Sequence, residues 1–118
     1  FCGLIKKTAL RQIFEFRDES WFEEDTFDLL KKYNHCLCIA HSGSYPSERK
    51  ITSDYLYLRF HGGGGLYSSD YSDRDLKDWA DFARKTKLNL YAFFNNDVMG
   101  YAVKNALKFR EFYEKISV

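Results

Sequence analysis

The sequence predicts an α/β fold in which four parallel strands alternate with helices and curve into a TIM-like (β/α) barrel. Two observations lead to this prediction. First, apolar runs typical of strands are separated by amphipathic segments typical of helices, and this alternation is characteristic of parallel sheets. Second, the predicted strands have one apolar face and one face that carries charged side chains. Both faces of a doubly wound sheet are covered by helices, whereas one face of a barrel sheet lines the interior.

Composition indicates a single soluble globular domain. The 118 residues are 45% hydrophobic, and the formal net charge is +1. Such a balance argues against a dedicated nucleic-acid surface or a membrane-surface binder. No apolar run reaches the roughly 18 residues that would span a bilayer. Three cysteines without the spacing of a disulfide framework favour a reducing compartment, so the sequence predicts a cytoplasmic location.

Four strands and three helices are predicted in alternation. The strands are 12–17, 36–41, 55–62 and 89–96. The first helix is expected to open at Ser20 with Glu23 as its capping-box partner, and the second at Ser72 with Asp75. The third opens at Asn96 or Asp97. Residues 2–9 resemble the tail of an earlier helix, and the segment 42–54 lacks a helical period and is predicted to be a loop.

Period-two alternation separates the two faces of the predicted sheet. One face is expected to lie under helices, and it carries Leu56, Leu58, Phe60, Phe14 and Phe16. The opposite face carries the charged side chains of Glu15, Arg17, Arg59 and His61, together with Tyr55, Tyr57 and Ile13. The barrel places this second face inside, and barrel sites gather at the carboxyl ends of the strands.

Three stretches resemble the DUF72 family, also called YecE-like. They are "FEFRDESWF" (14–22), "YLYLRFHGGGGLYSSDYSDRDLKDWA" (55–80) and "AFFNNDVMGYAVKNALKF" (92–109). The resemblance implies a TIM-type barrel of uncharacterised function. Because family members are around twice this long, it also implies that residues 1–118 are the C-terminal half of a single DUF72-like barrel domain. Such a half is expected to need the missing N-terminal half or to self-associate.

Two positions depart from the family's pattern. Asp18 stands where the family usually has His after "EFR", and His41 stands where it usually has Asp at the end of the second strand. Both lie near the predicted site, so these departures bear on any activity that the resemblance implies.

The glycine run 62–65 is not predicted to bind a nucleotide. A phosphate-binding loop needs a helix that begins within or directly after the glycines, whereas here the helix begins only near Ser72. The glycines are instead expected to let the backbone turn over the barrel mouth. Tyr67 and Tyr71 would flank this opening, either stacking on a ligand or packing at the rim.

The stretch "HCLCIAH" (35–41) is not predicted to bind a metal. Cys36 and Cys38 share one face of the strand, while His35 and His41 take the other, and ligands on opposite faces cannot converge on one ion. Small buried cysteines are the simpler interpretation. The sequence points to no cofactor.

The charged face forms the candidate site. Arg17 and Arg59 could grip an anion, and His61 could move a proton near neutral pH. Glu15 is expected to pair with only one of these cations. The remaining positive charge would then make the pocket positive. Further candidates follow the last strand: Asn95 and Asn96 as amide ligands and Asp97 as a base, although Asn96 or Asp97 could equally cap the third helix.

Two classes of function stay open. The first is an enzyme that acts on a small anionic or phosphorylated substrate at the barrel mouth, with His61 and Asp97 as catalytic groups. The second is a non-catalytic ligand-binding barrel, in which the Arg/His/Glu cluster is a structural layer of salt bridges, since buried charges need partners.

Overall fold

The computed structural model describes residues 12–42, 48–62, 70–96 and 100–114. Four strands and three α-helices follow one another in these ranges. The strands are β1 (Ile13–Phe14), β2 (Cys36–Ser42), β3 (Tyr55–Gly62) and β4 (Asn89–Phe94). The helices are α1 (Glu24–Lys32), α2 (Asp73–Thr86) and α3 (Tyr101–Glu114), and a short 3-10 turn at Glu19–Trp21 precedes α1.

The strands form one parallel sheet in the order β1-β2-β3-β4. Sequential order means that every connection moves the chain in the same direction across the sheet. A doubly wound sheet reverses that direction to place helices on both faces, whereas a barrel never reverses it. The winding of the described strands is therefore that of a barrel.

The three described helices all pack on the same face of the sheet. Beneath α2 and α3, the main core joins strand residues Ile39, Leu56, Leu58 and Phe60 to helix residues Leu76, Trp79, Ala80, Ala83 and Phe109. A second cluster places Phe27 and Leu30 of α1 against Leu37 of β2, with Phe14 and Phe16 partly buried beside them. All these strand residues share one parity. The predicted division between an apolar, helix-covered face and a polar face is thus confirmed.

Strict alternation predicted β3 well, and β1 poorly. The observed β3 has the predicted bounds, and β2 extends one residue further than expected. The predicted strand 12–17 pairs with β2 only at Ile13 and Phe14. Within the described sheet β1 has one neighbour, so its backbone gains ladder hydrogen bonds on one side only. The last strand ends at Phe94 rather than at residue 96.

The start of the first helix was predicted wrongly. Asp18, rather than Ser20, acts as the cap: its Oδ1 accepts a hydrogen bond from Ser20 N at 2.9 Å and closes the 3-10 turn. Glu23 is extended, with φ −138° and ψ 161°, so the α-helix begins only at Glu24. The Ser72 cap of α2 is confirmed, because Ser72 Oγ accepts from Asp75 N at 3.1 Å.

The third α-helix begins at Tyr101, later than the predicted Asn96 or Asp97. Gly100 precedes it with φ +75°, a conformation that favours glycine. The predicted helix tail at 2–9 lies outside the described residues, as do 43–47 of the predicted loop, and residues 48–54 form neither helix nor strand. In the described part of the chain, no helix has both the length and the apolar character needed to cross a membrane.

Candidate functional site

The polar side chains predicted to share the inner face do meet there. We call Glu15, Arg17, Arg59, His61 and Asn95 the Glu15 cluster. Glu15 and Arg17 follow β1, Arg59 and His61 lie at the carboxyl end of β3, and Asn95 directly follows β4. Because the strands are parallel, these carboxyl ends lie at one edge of the sheet. The cluster therefore occupies the position where barrel proteins build their sites.

Glu15 is the centre of the cluster. Its Oε1 accepts a hydrogen bond from Arg59 Nη1 at 2.7 Å, and its Oε2 lies 2.9 Å from His61 Nε2. Arg17 Nη2 lies 3.9 Å from the same Oε1. Glu15 thus contacts more groups than the single cation that the sequence analysis expected, although its one negative charge can offset only one positive charge.

Small residues on β2 make this contact possible. The strand β2 separates β1 from β3, and two strand spacings amount to about 10 Å. On the inner face β2 carries Cys38 and Ala40, and Ala40 is the register partner of Arg59. Because these side chains are short, Glu15 and Arg59 can meet above them.

Asn95 fixes the other side of Arg59. Its Oδ1 accepts from Arg59 Nη2 at 2.9 Å and from Nε at 3.3 Å. The backbone N–H of Asn95 donates to Phe60 O at 2.8 Å, which extends the β3–β4 ladder by one bond. Within the described part of the chain, Glu15 and Asn95 thus engage three of the five N–H donors of the Arg59 guanidinium.

The Glu15 cluster contains more positive than negative charge. Two guanidinium groups face one carboxylate, so the cluster has a net positive charge even when His61 is neutral. The side chains of Arg17 and Arg59 are 47% and 27% exposed, whereas that of His61 is 0% exposed. Both arginines can therefore be reached from solvent in this structure, and the imidazole cannot.

Opposing effects act on the Glu15 carboxyl group. Burial alone would raise its pKa, but the hydrogen bond from His61 and the charges of Arg59, His61 and Arg17 outweigh burial and lower the pKa. The carboxylate form is consequently the one that the fold stabilises.

We expect Glu15 to contribute to acid sensitivity. Because its folded pKa lies below the unfolded value of 4.5, its contribution to stability is fully present above that pH and is lost as pH falls through the folded pKa. The melting temperature of Glu15→Gln should therefore lie furthest below that of wild type above about pH 5, and the gap should narrow towards pH 3. The control is Glu111→Gln, which removes a surface glutamate beside Lys108; a gap for Glu15→Gln that does not change with pH would contradict the assignment.

The cysteines beneath the cluster are neutral thiols. Burial, followed by the nearby Glu15 charge, raises the pKa of Cys38 to about 12. Burial also raises the pKa of Cys36, whose Sγ contacts Tyr55 O at 3.6 Å. On the opposite face, Leu37 and Ile39 pack in the two cores.

In the described ranges, no three His, Cys, Asp or Glu side chains are placed to hold a metal ion.

Tyr71 lies in the main core of the described residues. Its ring packs against Phe60 and Phe94, and it is 5% exposed. The hydroxyl accepts from Gly62 N at 2.9 Å and lies 2.9 Å from His41 Nδ1. This placement matches the packing role that the sequence left open. Tyr67, its predicted companion, lies outside the described residues, as do Asp97 and residues 63–65 of the glycine run.

His41 and Asp18 do not join the Glu15 cluster. The His41 ring faces the helices, with its centroid 5.6 Å from that of Trp79. Burial lowers the pKa of His41; the charge of Asp75 opposes this shift and that of Arg49 adds to it. Asp18 is exposed and caps the 3-10 turn, and its hydrogen bonds from Ser20 lower its pKa. His41 therefore lies at the carboxyl end of β2, as expected of a position near the site, but its side chain is on the helix-covered face and not in the cluster.

A buried amide network behind the cluster was missed by the sequence analysis. Asn105 Oδ1 accepts from Asn96 Nδ2 at 2.7 Å and from Tyr71 N at 3.1 Å, while its Nδ2 donates to Asp70 Oδ1 at 2.9 Å. Asn96 thus points into the fold, although its neighbour Asn95 points to Arg59. The sequence did contain a signal for this network. Asn105 lies at helical spacing from Ala102 and Phe109, so it falls on the buried stripe of α3.

Comparisons with known proteins agree with this architecture. The profile of the family described as "Protein of unknown function DUF72" matches residues 1–117. The chain is similar to the crystal structure of a DUF72 family protein from Thermotoga maritima, with a TM-score of 0.85 and 28% identity. It is also similar in fold to a DUF72 family protein from Enterococcus faecalis, with a TM-score of 0.81 and 19% identity. No curated protein sequence matches the chain.

The chain spans about half the length of these solved proteins. The match covers 95% of this chain and 49% of the Thermotoga maritima protein, and 98% of this chain and 52% of the Enterococcus faecalis protein. Together with the four parallel strands, this likeness confirms the predicted fold class: an α/β unit that corresponds to about half of a TIM-like barrel.

Proposed function

Because the chain belongs to the DUF72 family of proteins of unknown function, we propose a role from the chemistry of the Glu15 cluster itself. The intact protein binds a small anionic ligand, with a phosphate-like or carboxylate group, at the carboxyl ends of its strands. Arg17 and Arg59 bind the anion, Asn95 orients Arg59, and Glu15 keeps the two cations together in the absence of ligand.

One observation carries this proposal: a single carboxylate is shared by Arg59, His61 and Arg17. Like charges held together repel one another, and an anion placed between them relieves this repulsion. Guanidinium groups also present paired N–H donors that suit phosphate and carboxylate oxygens. The exposed fractions of both arginine side chains leave them accessible to such a ligand.

An enzymatic version of the proposal adds a proton transfer. The Glu15 carboxylate fixes the orientation of the His61 ring through Nε2, as a carboxylate does for a general base. Since the His61 side chain is fully buried, a substrate could exchange a proton with it only after Glu15 or the mouth rearranges. In this version His61 acts as the general acid or general base, and Asp97 acts as a further base.

A non-catalytic alternative has its own support. Each Glu15 oxygen has a close partner, and Asn95 satisfies the far side of Arg59. This is the pattern of a structural polar layer in which charges are kept for mutual pairing. In this alternative the cluster stabilises the barrel and no ligand is turned over.

Titration calorimetry of the intact protein with inorganic phosphate and with sugar phosphates tests the proposal. Wild type should bind, and both Arg59→Met and Arg17→Met should weaken binding about tenfold or more, since loss of one charge-assisted contact costs about 1.5–3 kcal/mol. Arg17→Met leaves the Glu15–Arg59 pair intact. Arg110→Met, which removes an exposed guanidinium paired with Glu114 on α3, is the matched control and should bind as wild type does.

Negligible binding by wild type and all variants would remove the anion site. It would leave the structural salt-bridge layer as the account of the cluster. Binding by wild type without turnover of any sugar phosphate would favour the non-catalytic ligand-binding barrel over the enzyme.

The proposed location is the cytoplasm. Cys36 and Cys38 are free thiols in the described part of the chain, and both are buried. Free buried thiols without a disulfide framework are typical of proteins from reducing compartments.

A further inference from the structure

A β-bulge lies at the point where β3 reaches the candidate site. His41 of β2 pairs with Phe60 of β3, and the next residue of β2, Ser42, pairs with Gly62. His61 is therefore the extra residue of β3, between two positions that face consecutive residues of β2. Bulges are frequent beside functional sites, where they turn one side chain in a new direction. The side chain at this bulge is the imidazole of the candidate site.

The hydroxyl group of Tyr71 holds the backbone of this bulge. It accepts a hydrogen bond from Gly62 N at 2.9 Å. That N–H belongs to the same planar peptide group as the carbonyl of His61, so the bond fixes the backbone from which the imidazole projects. Gly62 is buried and has φ +104°, a conformation that favours glycine. A buried N–H needs an acceptor, and the phenol oxygen is that acceptor.

Tyr71 is itself fixed at both ends. Its backbone N–H donates to Asn105 Oδ1 at 3.1 Å, and its ring packs against Phe60 and Phe94. The hydroxyl oxygen lies 2.9 Å from His41 Nδ1 and 3.5 Å from His41 O. Because this oxygen already accepts a bond from the bulge, its single proton is available to His41. The phenol oxygen therefore has a fixed place between β2 and β3.

We propose that Tyr71 is a positioning residue of the candidate site: through its bond to the bulge it orients His61 towards Glu15. The inference rests on the proposed function, since it concerns the same site, but it does not depend on which ligand binds there. The Glu15 carboxylate can only accept hydrogen bonds, so its 2.9 Å contact with His61 requires a proton on Nε2. Tyr71 thus acts from the helix-covered face on the direction of a proton on the inner face.

The Nε2 proton of His61 gives the test, followed by NMR on the intact protein without phosphate. In isotope-labelled wild type this proton should be protected from water, because the His61 side chain is 0% exposed and bonded to Glu15. In Tyr71→Phe the N–H of Gly62 loses its acceptor, so the bulge should rearrange. The Nε2 proton should then exchange with water at least about tenfold faster than in wild type.

Tyr55→Phe is the matched control. It removes the hydroxyl of another buried tyrosine, on β3 itself, and this hydroxyl donates to Gln12 O at 3.2 Å. Gln12 O also accepts from Cys36 N at 3.0 Å, so the carbonyl keeps a donor in the variant. The Nε2 proton of His61 should exchange in Tyr55→Phe as it does in wild type, whatever the melting temperature of the variant.

Unchanged exchange in a folded Tyr71→Phe would overturn the inference, and so would an equal acceleration in Tyr55→Phe. Should Tyr71→Phe fail to fold, a pair of variants at His41 tests the same contact from its other side. Leucine removes the acceptor that faces the hydroxyl, whereas the Oδ1 of asparagine can replace Nδ1. Faster exchange in His41→Leu than in His41→Asn is expected, and equal exchange in the two would contradict the role of Tyr71.

The outcome is separate from that of the anion site. Absence of phosphate binding beside accelerated exchange in Tyr71→Phe would remove the proposed ligand and leave the role of Tyr71 in place. Phosphate binding beside unchanged exchange would do the reverse.

Discussion

Asn105→Leu is expected to destabilise the intact protein by about 3 kcal/mol, because two buried donors lose their acceptor at a cost of roughly 1–3 kcal/mol each. Leucine has the same side-chain branching as asparagine and the same number of side-chain heavy atoms, but it is bulkier and cannot accept a hydrogen bond. The substitution leaves Asn96 Nδ2 and Tyr71 N facing an apolar side chain. Urea unfolding followed by circular dichroism measures the loss.

Lys104→Met is the matched control for this prediction. Lys104 is the neighbour of Asn105 on α3 and pairs with Asp70 at 2.9 Å, and this hydrogen-bonded pair raises the pKa of Lys104 and lowers that of Asp70. The lysine side chain is 65% exposed, so its replacement should leave the unfolding midpoint almost unchanged. Equal midpoints for Asn105→Leu and Lys104→Met would contradict the structural role of the amide network.

Phe60→Ala is expected to cost about 3–5 kcal/mol, the range for truncation of a buried aromatic side chain. The Phe60 ring is fully buried and stacks on Phe94 with centroids 4.4 Å apart. It also contacts Trp79 and Phe109, each with centroids 5.5 Å apart, so it joins the sheet to both α2 and α3. Thermal and urea unfolding of the intact protein would measure the effect.

Leu29→Ala provides the comparison for Phe60→Ala. Leu29 is an exposed side chain on α1, away from the main core, and its truncation should change stability within about 0.5 kcal/mol. A Phe60→Ala variant as stable as Leu29→Ala would mean that the sheet does not pack on α2 and α3 as described.

Local sequence patterns were sufficient to predict the fold class and the two faces of the sheet. Strict alternation in 55–62 predicted β3 with its observed bounds, since every second residue meets the same environment. The same rule overextended β1, because alternation reports which face a side chain takes and not whether a neighbouring strand pairs with the backbone. The start of α1 was missed because Asp18 caps a separate 3-10 turn at Glu19–Trp21, and the α-helix begins only after the extended Glu23.

The membership of the Glu15 cluster could be predicted, but its connections could not. Parity along each strand placed Glu15, Arg59 and His61 on one face. The bridge from Glu15 to both partners depends on contacts across β2 and on the short side chains of Cys38 and Ala40. Such contacts join residues 44 and 46 positions apart in sequence, and nothing local encodes them. Tyr71 was also placed incompletely by the sequence. It was expected beside the opening next to the glycine run, whereas its ring lies in the main core.

The anion site can be tested in a single titration of the intact protein with inorganic phosphate, in which NMR follows the arginine Nε–H resonances. The Nε of Arg59 bonds to Asn95 and that of Arg110 bonds to Glu114, so one spectrum contains both the site and its control. We expect the resonances of Arg59 and Arg17 to shift together and to saturate at one phosphate concentration, while that of Arg110 stays in place. Resonances of Arg59 and Arg17 that do not move, or that move only in parallel with Arg110, would contradict the anion site.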